Sequence, residues 1–248
     1  MSDIEHGGGL GDLFWRRLAA GAIDIAAGIV VASLAAVLLY AASDSKLRSS
    51  TLTKTIACQP AHAISVTVLQ GVAAPAGARP VAAKLCVISL AGFETARYLT
   101  IDLLAQDGEV TRSLAFSRPV DRKGEPLTPV ILDWAYPLGF ILIVSLAEAL
   151  FGATLGKRLL GLRVQSPTGG RVSIGGALLR NLVIYGGAAL VLVTPLAVAV
   201  TGLRLPPLVY YGAVGVFGLL VLAPFAMLAE SGPRALYDRW AGSLVERG

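Results

Sequence analysis

The stretch from Phe14 to Tyr40 constrains this chain more than any other. It reads Phe-Trp-Arg-Arg followed by 23 residues, Leu18–Tyr40, in which Asp24 is the single charge. An apolar run of about 18 residues or more is long enough to cross a bilayer as a helix. Trp15, Arg16 and Arg17 stand at its N-terminal edge, a composition suited to the positively charged side of a membrane. Asp24 lies about two turns in, where a carboxylate is costly unless it is paired or faces a polar cavity. Arg17 and Asp24 share one helix face, roughly 10 Å apart along the axis, so Arg17 is the nearest partner on the same helix. Gly21 and Gly28 lie on that stripe and allow a second helix to approach and shield the acid from lipid. The run is too long and too interrupted by charge for a cleaved signal peptide, and more apolar segments follow, so it reads as a first span, 14–42. Residues 1–13, with Gly7-Gly8-Gly9, read as a mobile cytoplasmic tail.

Composition agrees with a polytopic membrane protein. Of 248 residues, 55% are hydrophobic and 15% charged, and the mean hydropathy is +0.70. The net charge of +5 is spread along loops with no basic stripe interleaved with aromatics, which excludes nucleic acid as a partner.

Residues 43–132 change character, and nothing in them could span a bilayer. Alternating runs at His62–Gln70, Val81–Leu90, Tyr98–Gln106 and Val110–Ser117 are separated by Pro60, Gly71, Pro75, Gly77, Pro80 and Gly92. Asp107-Gly108 between the last two runs reads as a two-residue hairpin turn. This is the pattern of a small antiparallel β-rich domain inserted on the extracytoplasmic side. Both cysteines of the chain, Cys58 and Cys86, lie in it. Such a pair is most simply a disulfide, contributing about 3 kcal/mol in the chain-entropy model. Two unrelated thiols are the alternative. A redox pair would show Cys-x-x-Cys, and zinc would need more ligands than His62 adds.

A second span is expected at 133–151, with Trp134 and Tyr136 as an outer aromatic belt. Glu148 is its interior acid. It either joins Asp24 in an ion or proton path or pairs with a basic residue of the next loop, where Lys157, Arg158 and Arg163 follow. That loop, 152–177, is basic and free of acids, the signature of a cytoplasmic connection. Its Gly152…Gly156-Lys157 spacing is one residue too short for a phosphate-binding loop, and Arg158 stands where Ser or Thr is needed. Gly161–Ser166 and Arg171–Ile174 read as two short strands around Pro167-Thr168-Gly169-Gly170. Spans three and four are expected at 178–200 and 208–229, joined by an outer turn, 201–207. Arg180 and Asn181 enter the third at its inner edge, within reach of Asp24 or Glu148. The tail, 230–248, is too polar to span and reads as docking at the inner interface through Leu236, Trp240 and Leu244. Asp238 within it is either a solvated charge or a salt-bridge partner for Arg17, Arg158 or Arg180.

Several blocks together resemble the RDD family of small integral membrane proteins, named for one arginine and two aspartates. They are Phe14-Trp15-Arg16-Arg17-Leu18-Ala19-Ala20 with Asp24, then Thr154-Leu155-Gly156-Lys157-Arg158-Leu159-Leu160-Gly161-Leu162-Arg163-Val164, the turn Gly169-Gly170, Leu178-Leu179-Arg180-Asn181, and Tyr237-Asp238-Arg239-Trp240-Ala241-Gly242-Ser243. By position Arg16 or Arg17 matches the family arginine, with Arg17 preferred, and Asp24 and Asp238 match the aspartates. The chain departs from the family in Thr-Leu-Gly-Lys for Thr-Pro-Gly-Lys, in Ala-Gly-Ser for Ala-Gly-Thr, and in the long insert. The apolar runs and the basic loop read as four transmembrane helices in a bacterial-type cytoplasmic membrane with both termini cytoplasmic, and the resemblance implies a small integral membrane protein with a role in transport suggested. Two function classes stand open. One is a transporter or transporter subunit using Asp24 and Glu148 for a cation, proton or small ligand. The other is a structural or assembly subunit whose Arg–Asp pairs hold the bundle while the insert binds a partner. The expected partners are the bilayer and either a second copy or a membrane complex. No cofactor or metal is expected, and an enzyme is not: His6 and His62 lie outside every span, and no hydrolase motif is present.

Overall fold

The computed structural model describes residues 10–49, 54–61, 78–107, 110–201, 207–229 and 234–247. The chain divides into two units, Met1–Val30 with Asp133–Gly248, and Val31–Leu132.

The first unit is helical. Helix α1, Leu10–Ala42, enters it from the N-terminus. It begins four residues before the expected span, because Asp12 bonds Arg16 one turn on at 3.0 Å and extends the helix outward. The expected tail at 1–9 lies outside the described residues. Helix α2 is Ala135–Phe151, α3 is Leu155–Leu159, α4 is Ile174–Thr201 and α5 is Pro207–Ala229. Among the described residues one helix, Asp12–Ala42, is long and apolar enough to cross a membrane, and α2 is a shorter apolar helix of 17 residues. Helices α2 and α5 both pack along α4. The expected outer turn lies mostly outside the described residues.

Helix α2 stops at Gly152, which adopts φ 73°, a conformation that strains any residue with a Cβ. The chain then turns back, and Val164 N–H bonds the Gly152 carbonyl at 2.7 Å. That bond starts strand β7, Leu162–Gln165. The sequence pattern places the partner of this strand at Arg171–Ile174. The structure pairs it instead with β8, Leu244–Arg247, in the antiparallel register Val164↔Val245. The reason is burial: Leu162, Val164 and Val245 close a cluster with Ala20, Ala149, Val172 and Ala177, whereas Arg171 is exposed. Helix α6, Leu236–Trp240, leads into β8. Its inward residues are Tyr237 and Asp238, followed by Ala241, while Trp240 is 56% exposed. Tyr237 and Asp238 thus tie the tail into the unit, and Trp240 is left on its surface.

The second unit is a four-stranded antiparallel sheet of order β2-β3-β4-β5, formed by Thr55–Pro60, Arg79–Leu90, Phe93–Asp107 and Val110–Pro119. Three of these strands were expected from the alternation. Strand β2 was not, and the expected run His62–Gln70 lies outside the described residues. One face buries Ala83, Leu99, Ile101 and Leu103 with Val120. The other is polar, with Lys84 and Asp102 paired at 3.1 Å and Thr100 bonded to Ser117 at 2.9 Å. Asp107 pairs with Val110, and Gly108 of the expected turn lies outside the described residues. Cys58 and Cys86 are directly opposite on β2 and β3 and form a disulfide. A two-residue parallel ladder joins β1, Leu47–Arg48, to β6, Val130–Ile131. Arg48 is buried and donates to the carbonyls of Ser45, Arg97 and Val120 at 3.1, 2.9 and 2.7 Å. Five donors in a rigid fork suit such a multi-carbonyl site.

Candidate functional site: a buried charge cluster

The charges of the first unit converge. Arg17 and Asp24 come from α1, Glu148 from α2, Lys157 from α3, Arg180 and Asn181 from α4, and Asp238 from α6. All six charged groups are buried in a region that water reaches poorly. Three are cations and three are anions, so the set is neutral as a whole. An isolated charge in such a place would cost several kcal/mol, and pairing removes most of that cost.

Asp24 does not pair with Arg17. Thr154 Oγ1 donates to its Oδ2 at 2.5 Å, and the Gly156 N–H donates to its Oδ1 at 2.8 Å. Thr154 is the N-cap of α3, with its own oxygen facing Lys157 N–H at 3.5 Å. The carboxylate therefore sits on one first-turn N–H of α3 and on its N-cap hydroxyl, where unsatisfied donors and partial positive charge favour an anion. Gly156 makes this approach possible. A Cβ there would lie 2.1 Å from the Ala20 carbonyl oxygen, so the backbones of α1 and α3 are in direct contact. Gly21 and Gly28, on the same stripe, face Tyr185 and the Phe140 ring, which stack edge-on with centroids 5.0 Å apart.

Arg17 turns instead to the tail. Its Nη1 is 3.1 Å from Asp238 Oδ2, and its Nη2 donates to the Val245 carbonyl at 3.4 Å. Arg180 Nε donates to Asp238 Oδ1 at 2.7 Å, and Arg180 Nη1 lies 2.9 Å from Glu148 Oε1. Lys157 contacts that same Oε1, and Asn181 Nδ2 donates to Oε2 at 3.0 Å. The groups thus run in sequence as Lys157, Glu148, Arg180, Asp238, Arg17, with alternating sign. Burial pulls the Lys157 ammonium below its ordinary value, against the opposing attraction of Glu148. Burial likewise raises the Tyr237 hydroxyl, which lies beneath Arg180.

The other basic-loop candidates stay outside the cluster. Arg158 stacks over Phe151 at 5.3 Å, and Arg163 on β7 is exposed opposite Glu246. Arg16 bonds Asp12 and the Leu160 carbonyl, so Arg17 is the arginine of the first block that reaches an aspartate of the cluster. Sequence reasoning overlooked Thr154 and Gly156 as partners of Asp24. A Thr directly before Leu-Gly-Lys-Arg-Leu is an N-cap signature, and it could have flagged the helix start.

The model of the RDD family matches residues 123–242, just under half of the chain. The chain carries an RDD-family domain. The RDD family is one of membrane proteins, so the match at 123–242 suggests a membrane protein. No curated protein and no solved structure matches the chain. The matched range of the RDD domain holds Glu148, Thr154, Gly156, Lys157, Arg180, Asn181 and Asp238. Arg17 and Asp24 precede it, across the inserted sheet, and their side chains bond to residues inside it. The RDD domain and the first half of α1 therefore share one set of charges.

Proposed function

We propose that this protein is a non-catalytic membrane scaffold, in which the RDD domain and α1 form a four-span bundle locked by the buried charges and the sheet of 43–132 presents an extracytoplasmic surface to a partner. The observation that carries the reading is the pairing of every buried acid among the described residues. Asp24 caps α3, Glu148 is held by Lys157, Arg180 and Asn181, and Asp238 is held by Arg180 and Arg17. A transport site needs an acid that can exchange its partner with a ligand in an accessible cavity. A cleft lined by α2, α4 and α5 has apolar side chains and none of these acids in its wall.

The topology of this reading puts both termini and 152–177 in the cytoplasm of a bacterial-type cell and the insert outside. Helix lengths of 33, 17, 28 and 23 residues correspond to about 50, 26, 42 and 35 Å, against a hydrocarbon core of about 30 Å. The disulfide between β2 and β3 supports an oxidising location for the insert. The all-basic loop supports the opposite side for 152–177.

The test is reconstitution of the full chain in proteoliposomes, with ion-coupled flux and thermal stability measured together. The scaffold reading expects no flux above empty vesicles, and a large loss of stability for Glu148→Gln. Flux in the wild type that disappears in Asp24→Asn at unchanged stability would contradict it and support a transporter.

A further inference from the structure

A cleft of about 540 Å³ in the RDD unit is lined by none of the charges of the cluster. It is lined by residues of α4 from Leu182 to Leu190 and of α5 from Leu220 to Met227, with Leu138 and Ile141 of α2 and Trp240 of α6. At 1.5 Å per residue these walls are about 10–12 Å long, close to the depth of one leaflet of a core about 30 Å thick. The volume falls within the range of about 300–1,000 Å³ typical of small-ligand sites. The helices around it are apolar on their outer faces too: Val216, Leu219 and Leu222 are each more than half exposed. An occupant therefore enters from the membrane and not from water. The end at Trp240 differs from the rest. Trp240 carries a polar N–H on an apolar ring, a combination favoured at the headgroup level, and its neighbour Arg239 is exposed. A cation at the interface attracts anionic headgroups.

We infer that the cleft is a lipid site, taking one acyl chain of an anionic phospholipid of the cytoplasmic leaflet, with Trp240 at its mouth and Arg239 supplying the charge that selects the headgroup. The inference rests on the four-span reading above. Gly186 is central to it. A Cβ added at Gly186 would meet nothing within 4 Å, so the helix surface there is open to the cleft. Next to it, a Cβ at Gly187 would lie 2.6 Å from the Leu220 backbone, which shows where α4 and α5 close on each other. The pair of glycines thus separates a packed contact from an open floor.

The experiment uses the full chain with Trp15→Phe and Trp134→Phe, which leaves Trp240 as the sole tryptophan, excited selectively over tyrosine. It is reconstituted in dioleoylphosphatidylcholine vesicles containing chain-brominated phosphatidylglycerol or chain-brominated phosphatidylcholine at equal mole fraction. The expected result is stronger quenching by the brominated phosphatidylglycerol, with an association preference of about fivefold, the size expected for one cation near an anionic headgroup. Arg239→Gln should remove that preference while quenching itself persists. Gly186→Leu, and independently Ala223→Leu, should fill the cleft and lower phosphatidylglycerol quenching to the phosphatidylcholine level at an unchanged melting temperature. Equal quenching by the two lipids, or quenching that neither filling substitution changes, would overturn the site and leave ordinary boundary lipid. Absence of quenching by either lipid, in a chain that alkali extracts from the vesicles, would overturn the four-span reading and the site with it.

Discussion

Asp24 shows what a single residue reveals and what it conceals. A lone carboxylate in an apolar run must be satisfied, and that much is legible from Leu18–Tyr40 alone. Its partner is not legible, because the donors, Thr154 and Gly156, lie 130 and 132 residues away. Arg17 was the nearest basic residue along the helix, but it serves Asp238 instead. The choice follows from backbone packing: Gly156 lets Ala20 approach, and this brings the first turn of α3 onto Asp24. Gly156→Ala should therefore be disruptive, since the Cβ meets backbone rather than a flexible side chain. A loss of about 1–3 kcal/mol is expected from overpacking, read as a lower melting temperature in detergent. Thr154→Val, which keeps shape and removes the hydroxyl, should cost about 1–3 kcal/mol by leaving a carboxylate oxygen short of a donor. Thr154→Ser should be close to neutral. Equal effects of Val and Ser at this position would show that the hydroxyl is not what Asp24 needs.

At the scale of elements, strands were legible where alternation was strong, as in β3, β4 and β5, and so was the disulfide from the two cysteines. Strand β2 was missed because its residues are exposed on both faces, which leaves no period to detect. The β7–β8 ladder was missed because its two strands are some 80 residues apart, and local pattern carries no information about such pairings. The sheet's acid sensitivity can be predicted from Glu94. Burial raises its carboxyl, but hydrogen bonds from Arg97 and from the Tyr40 hydroxyl, with the Arg97 charge, outweigh this and hold it below its ordinary value of 4.5. A depressed carboxylate stabilises the fold fully above its unfolded value, and that contribution is lost as the pH falls through the folded value. Glu94→Gln should thus lower the melting temperature at neutral pH, and the difference from wild type should shrink below pH 4.5. A difference that stayed constant into that acid range would rule out the ionised carboxylate as its source. Replacing both Cys58 and Cys86 by Ser should cost about 3 kcal/mol, with β2 the first strand to lose amide protection in hydrogen exchange.

At the scale of the whole molecule, the proposed four spans with cytoplasmic ends have an accessible test in the turn after β7. Ser166→Cys, in a chain with Cys58 and Cys86 replaced by Ala, should react with an impermeant thiol reagent only after the membrane is opened. Labelling in intact cells would place 152–177 outside and reverse the topology. Two separate attachments fasten α1 to the RDD domain, Asp24 on the α3 N-terminus and Arg17 on Asp238. A double-mutant cycle on thermal or denaturant unfolding in detergent measures this directly. Arg17→Gln and Asp238→Asn should be coupled by about 0.5–3 kcal/mol, because they share one ion pair, while Arg17→Gln and Asp24→Asn should add to within about 0.5 kcal/mol. Recovery of Asp24→Asn stability by Arg17→Gln, together with simple additivity of Arg17→Gln and Asp238→Asn, would contradict it.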